Sequence, residues 1–192
     1  MTNGDNHAGT IYVGDLDQWT FTAAVGDALS LSIGEVTDSG SFTPWIRLWA
    51  PNGTVLVDTA GTEATVLNGA VAPVNGTYLV LVASYDSFYD GTGTYRLTMT
   101  KTSGAITISG GDEGGPLGNA STHTGQIVTG DLDVWTFTAN ANDRIGVQIG
   151  QLVDDNDFRP WIRVWAPNGT VLADTAGVET DEYLVRGRSP HA

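Results

Sequence analysis

Apolar and polar residues alternate with a period of two along most of this chain. Trp19 and Phe21 alternate with Thr20 and Thr22, and Leu29, Leu31 and Ile33 with Ser30 and Ser32. Successive side chains of a strand point to opposite faces, so this period marks antiparallel strands with one buried and one wet face. Tyr78, Val80 and Val82 alternate instead with Leu79, Leu81 and Ala83, and a run that is apolar on both sides predicts a central strand. β-Branched and aromatic runs cut by Gly, Asp and Pro predict strands over residues 10–13, 18–23, 28–34, 44–50, 54–59, 63–67, 77–84 and 94–100. No stretch carries a helical period, so the pattern predicts an all-β sandwich.

That pattern occurs twice. Pro44-Trp45-Ile46-Arg47-Leu48-Trp49-Ala50-Pro51-Asn52-Gly53-Thr54-Val55-Leu56 returns as residues 160–172 with a single change, Leu48 to Val164. A shift of 116 residues also places Gly14-Asp15-Leu16-Asp17 on Gly130-Asp131-Leu132-Asp133 and Asn3 and His7 on Asn119 and His123. About three residues in five agree between 9–61 and 125–177, which signals duplication. Asn-Gly between two strand-like runs predicts a hairpin in each copy. The expected organisation is a first β-sandwich over 1–101, a Gly/Pro-rich hinge over 102–116, and a second, incomplete sandwich over 117–192. Counterparts of the strands near 77–84 and 94–100 are missing from the second copy, and similarity already fades by residue 180.

The 192 residues carry 22 acids against 8 Lys and Arg, a net charge of −14, with Lys101 the single lysine. Repulsion from phosphate argues against nucleic acid or an anionic membrane as partner. The absence of cysteine excludes disulfide and thiol chemistry. No apolar run approaches the roughly 20 residues of a membrane span, and the first residues lack a secretion signal. The chain is therefore expected either inside the cell or as a piece of a longer exported protein.

The run Gly130 to Ala139, the strand Phe158 to Arg163 and the closing Gly91-Thr92-Gly93-Thr94-Tyr95-Arg96-Leu97 together resemble the bacterial pre-peptidase C-terminal domain. The resemblance spans the first copy and about two thirds of the second. It implies a jelly-roll-like or fibronectin-like sandwich of about 100 residues, appended to exported proteases and surface proteins, without catalysis. Clostridial collagen-binding domains are similar at greater distance and bind calcium through acids of the leader and of the Asp-rich strand. By that resemblance Asn3, Asp5, Asp15 and Asp17 are the candidate calcium ligands, since Ca²⁺ takes oxygens from several segments. Asp15 and Asp17 would otherwise serve as turn caps. The second leader offers Asn119, Ala120 and Ser121, too few carboxylates for the same arrangement.

Trp45, Arg47 and Trp49 share one side of their strand, and Trp161, Arg163 and Trp165 repeat them. A guanidinium between two indoles stacks on both. The set is either a self-satisfied ladder, closed by a salt bridge to Asp17, or an aromatic platform for sugar rings or a protein. Catalytic chemistry lacks its parts: His7, His123 and His191 are the only histidines, and neither a Gly-x-Ser-x-Gly elbow nor a metal-binding histidine pair is present. Asn52, Asn75, Asn119 and Asn168 match the glycan acceptor pattern, though turn formation explains the Asn-Gly sites. The function expected is a non-catalytic module at the cell surface or outside the cell, binding polysaccharide or extracellular protein. The rival is a structural subunit that self-associates by strand complementation of its second domain.

Overall fold

The computed structural model describes residues 1–38, 41–62, 64–88, 90–153, 158–177 and 183–188. Glu63, which opens the sixth predicted strand, and His191 lie outside them. The chain forms two compact units, Met1–Phe137 and Thr138–Ala192.

The first copy contributes β1 (Asn6–Ile11), β2 (Asp17–Ala23), β3 (Ala28–Asp38), β4 (Pro44–Trp49), β5 (Val55–Ala60), β6 (Ala64–Val71), β7 (Gly76–Ser84) and β8 (Gly93–Lys101). These build two four-stranded sheets, β1-β8-β3-β6 and β2-β7-β4-β5, antiparallel throughout. One core lies between them, with Leu29, Leu31, Ile33, Tyr95 and Leu97 from one sheet and Phe21, Ile46, Leu48, Tyr78, Val80 and Val82 from the other. The predicted sandwich is thus present, and β7 is central as its two apolar faces require. In the β4–β5 hairpin, Gly53 takes a φ of +83° that suits glycine, and the Asn52 Oδ1 accepts from Thr54 N at 3.1 Å.

Two expectations need correction. The first strand lies at 6–11 rather than 10–13: Tyr12 and Val13 sit in the following turn, where Asp15 N donates to Tyr12 O at 2.9 Å, and both are exposed. Within β1, Gly9 lies opposite Tyr95, and a Cβ there would collide with the Tyr95 hydroxyl. Ser30 and Ser32 are buried rather than wet. The outer face of their sheet is covered by the segment after Lys101: Gly34 abuts Gly130, Arg96 Nη1 donates to Thr129 O at 3.1 Å, and Thr98 Oγ1 donates to Gly130 O at 3.1 Å.

Residues 102–116, expected to hinge, are tied to the leader. Thr107 N donates to Asn3 O at 2.8 Å, Asn6 N to Ser109 Oγ at 2.8 Å, and Ser109 Oγ to Asp5 Oδ1 at 2.5 Å. Strand β9 (Gly114–Pro116) then pairs in parallel with β10 (Val134–Thr136). Strand β10 is the counterpart of β2, whose one ladder partner in the first copy is β7; among the described residues of the second copy no strand occupies the β7 position. Residues 122–127, the counterpart of β1, form no strand; in the first copy β1 pairs with β8 alone.

The second unit holds β11 (Arg144–Ile149), β12 (Trp161–Trp165), β13 (Val171–Ala176) and β14 (Tyr183–Arg188). The β12–β13 hairpin repeats β4–β5 pair for pair, including the bulge before its last pair. Strand β14 pairs with β11 as β6 does with β3, although its sequence has lost the likeness to β6. Backbone pairing tolerates such replacement because main-chain groups make the ladder.

Candidate functional site

The aromatic set forms on the outer face of its sheet. Pro44, Ile46 and Leu48 turn inward, while Trp45, Arg47 and Trp49 are half-buried. The Arg47 guanidinium carbon lies 4.9 Å from the Trp45 ring centroid. In the second copy Arg163 lies between two indoles, 5.2 Å from Trp161 and 5.8 Å from Trp165. The ladder is not closed by Asp17. Register puts Asp58 directly opposite Arg47 and Asp174 opposite Arg163. Asp58 accepts from Arg47 Nη2 at 2.5 Å and from Trp45 Nε1 at 2.6 Å. Asp174 accepts likewise from Arg163 and Trp161. Hydrogen bonds from Arg47 and Arg163 hold these two carboxyls below the usual range. A hairpin with a known turn fixes which residue faces Arg47, so this partner could have been found by counting outward from Asn52-Gly53.

Asn3, Asp5, Asp15 and Asp17 go to separate tasks. Asn3 exchanges two bonds with the Lys101 backbone, Nδ2 to O at 3.1 Å and Lys101 N to Oδ1 at 2.8 Å. Asp5 accepts from Ser109, and Asp15 Oδ1 accepts from Leu16 N at 2.9 Å, as a turn cap does. Asp17 Oδ2 accepts from the Tyr95 hydroxyl at 2.6 Å, and that hydroxyl accepts from Trp19 Nε1 at 2.7 Å.

The carboxylates that do converge belong to the presumed linker and to the second Asp-x-Asp. Asp112, Glu113 and Asp133 each bring an oxygen within 4.8 Å of the others. Asp131 joins their rim, since Asn6 Nδ2 donates to both Asp112 Oδ2 and Asp131 Oδ1 at 3.0 Å. The origin of this cluster is legible by comparing copies. Asp133 is the counterpart of Asp17, and its buried Oδ1 has no hydrogen-bond partner. Gly125, the counterpart of Gly9, faces no tyrosine hydroxyl. A Cβ there would meet Asp133 Oδ2 at 2.8 Å and Glu113 Cβ at 3.2 Å. Burial, with the charges of Asp131, Asp112 and Glu113, pushes the Asp133 carboxyl up to about 7. Burial and Asp131 raise Asp112 as well. Hard oxygen donors with one unpartnered oxygen suit a divalent cation of the calcium type.

A second built feature is the loop after β7. Asp86 accepts from Ser84 Oγ at 2.7 Å and from the amides of Phe88, Asp90 and Gly91. These bonds, Ser84's first, lower its carboxyl despite some desolvation. They hold Tyr85 and Phe88 outward, 59 % and 83 % exposed, beside an open depression lined by Ser41, Thr43 and Ser87. Sequence reading passed over this loop, although Asp-Ser-Phe before Gly is a turn signal. His123 Nε2 lies 3.1 Å from Ser121 Oγ on an exposed turn.

The fold and these sites define a β-sandwich module with an aromatic sheet face and an acid cluster. No family model and no curated protein matches the sequence. Among solved structures, the chain is similar to the pre-peptidase C-terminal domain of collagenase from Bacillus anthracis, at 22% identity and a TM-score of 0.39, over 52% of this chain and 91% of that one. It is also similar to a periplasmic inhibitor of g-type lysozyme from Aeromonas hydrophila, at 18% identity and a TM-score of 0.40, over 50% and 83%. Among the described residues no helix is long and apolar enough to cross a membrane.

Proposed function

We propose that this chain is a non-catalytic attachment module that acts outside the cell or on its surface, as part of an exported protein. The observation that supports it is the outer sheet face, where Trp45 and Trp49 stay half-exposed while Asp58 neutralises the arginine between them. With its charge matched, Arg47 costs an apolar ligand little desolvation, and the indole surface that Arg47 does not cover remains available to a sugar ring or a protein side chain. Leu79 and Leu81, half-buried on the adjacent strand, extend the same surface. Purified chain incubated with insoluble polysaccharides and with immobilised collagen should be retained on at least one, and Trp45→Ala with Trp161→Ala should reduce that retention at least tenfold. Equal retention of the double variant would remove the aromatic face from the reading.

The same reading gives calcium a structural place at Asp112, Glu113 and Asp133 rather than at Asn3, Asp5, Asp15 and Asp17. Bound there, a divalent cation would offset the repulsion among these carboxylates and fasten the linker to the Asp131–Asp133 turn. Titration calorimetry with Ca²⁺ should show binding that Asp133→Asn abolishes and Asp17→Asn leaves intact. The absence of heat and of any rise in melting temperature would exclude the cation and leave the attachment reading standing.

A further inference from the structure

The first unit contains one turn twice. Tyr12-Val13-Gly14-Asp15-Leu16 and Val128-Thr129-Gly130-Asp131-Leu132 hold corresponding positions in the two copies. Gly14 takes a φ of +73° and Gly130 one of +79°. Asp15 N donates to Tyr12 O at 2.9 Å, and Asp131 N to Val128 O at 3.0 Å. In each turn the aspartate Oδ1 accepts from the following leucine amide at 2.9 Å. Their surroundings differ. The second turn is seated on the outer face of β3 and β8, where its carbonyls accept from Arg96 and Thr98 and its Asp131 accepts from Asn6. Gly34 comes so close that a Cβ there would stand 2.3 Å from Gly130 N. The first turn is bare: Tyr12 and Val13 are each 68% exposed, and a Cβ on Gly14 would meet nothing within 4 Å.

We propose that the Tyr12–Leu16 turn is a docking element for the β3–β8 face of another copy of this sandwich, where it takes the place that Val128–Leu132 takes within one chain. Every feature that seats the second turn is present in the first. The acceptors for Arg96 and Thr98 are main-chain carbonyls, which Val13 and Gly14 offer equally. The close backbone approach needs a glycine, and Gly14 is one. Thr129 presses its Cγ2 toward Gly34, and valine carries the same branch at Val13. Asp15 matches Asp131. The turn cannot reach its own face, because β1 ends at Ile11 and β2 opens the other sheet at Asp17. Turn and face are different surfaces, so copies associate head to tail. A tethered turn has the advantage of effective concentration, so a second copy enters where the resident turn has been displaced. Chains of net charge −14 repel, so salt tightens the contact. The proposal depends on neither the aromatic face nor a bound cation.

Asparagine tolerates a positive φ better than other residues with a Cβ, so it adds that atom to either turn with little strain. Gly130→Asn sets the Cβ 2.6 Å from Gly34 N and 2.7 Å from Arg96 O, main-chain atoms that cannot swing aside, and so displaces the resident turn. Gly14→Asn meets nothing in its own chain. In sedimentation at raised salt, the full chain with Gly130→Asn should form oligomers that lengthen with concentration, and adding Gly14→Asn should return it to monomer. That double variant keeps an open face, so mixing it with the parent chain should give a 1:1 complex. Using the Gly14→Asn chain in place of the parent should weaken the complex at least tenfold. Should Gly130→Asn not fold, Asp131→Ala, which removes the turn's cap without adding an atom, opens the face instead. No complex in the mixture, an equally strong complex with the Gly14→Asn chain, or oligomers that persist in the double variant would overturn the proposal.

Discussion

Replacing Tyr95 with phenylalanine removes one oxygen from the middle of the first copy, and the geometry sets the cost. The Tyr95 side chain is fully buried, its hydroxyl donating to Asp17 and accepting from Trp19. Phenylalanine keeps the ring, so the core loses almost no apolar contact. What it loses is a hydrogen bond to a charged acceptor, about 1.5–3 kcal/mol, and one from the indole, about 1 kcal/mol. The variant should be less stable by about 3 kcal/mol, which lowers the melting temperature of a unit this size by about 10 °C. Urea unfolding followed by tryptophan fluorescence measures the change, with exchange at the Leu97 and Met99 amides assigning it to the first unit. Trp19→Phe should cost clearly less in the Tyr95→Phe background than alone, because both remove the same bond. A loss below about 0.5 kcal/mol, or strict additivity of the two, would refute the view that this hydroxyl holds the sheets together.

The acid cluster sets a pH dependence of definite sign. The Asp133 carboxyl rises from 3.8 to about 7 on folding, so its stabilising effect is complete below about pH 4 and lost as pH rises through about 7. Without divalent ions the first unit should melt higher at pH 5 than at pH 8. Asp133→Asn should shrink that difference, and an unchanged difference would assign it elsewhere. Asp58→Ala should cost at most about 1 kcal/mol, since the ion pair is partly solvated, with side chains 34% and 44% exposed; urea unfolding tests this. Asp86→Ala releases three backbone amides, so chymotrypsin should cut at Tyr85 or Phe88 faster than in the parent. Equal cleavage rates would count against the anchoring role.

The strands were legible because period-two patterning reports the core face, and Phe21, Leu31, Ile46, Leu48, Val80 and Val82 all lie in it. Ser30 and Ser32 misled because the layer over their sheet comes from residues about 100 positions downstream, beyond what local pattern encodes. The acid cluster is hidden by composition. Asp112 and Glu113 sit among glycines and read as linker, although Asp131 and Asp133 repeat the very Asp-x-Asp pair that drew attention to Asp15 and Asp17. In the first copy Asp17 is engaged by Tyr95, whereas the Oδ1 of its counterpart Asp133 has no hydrogen-bond partner.

The interior position of β7 and β8 also governs when the first copy can take shape. Strand β1 finds its ladder partner only in β8, with Asn6 opposite Thr98, and β2 only in β7. A chain emerging N-terminus first presents β1 and β2 long before either partner exists; the β2-β7-β4-β5 sheet cannot close until Ser84 has appeared, nor the β1-β8-β3-β6 sheet until Lys101. Such long-range closure makes folding slow, in the millisecond-to-second range of sandwich proteins. Until then the chain stays open and unprotected. Arresting synthesis shortly before and after residue 101 and digesting the nascent chain would show protease resistance arriving in a single late step.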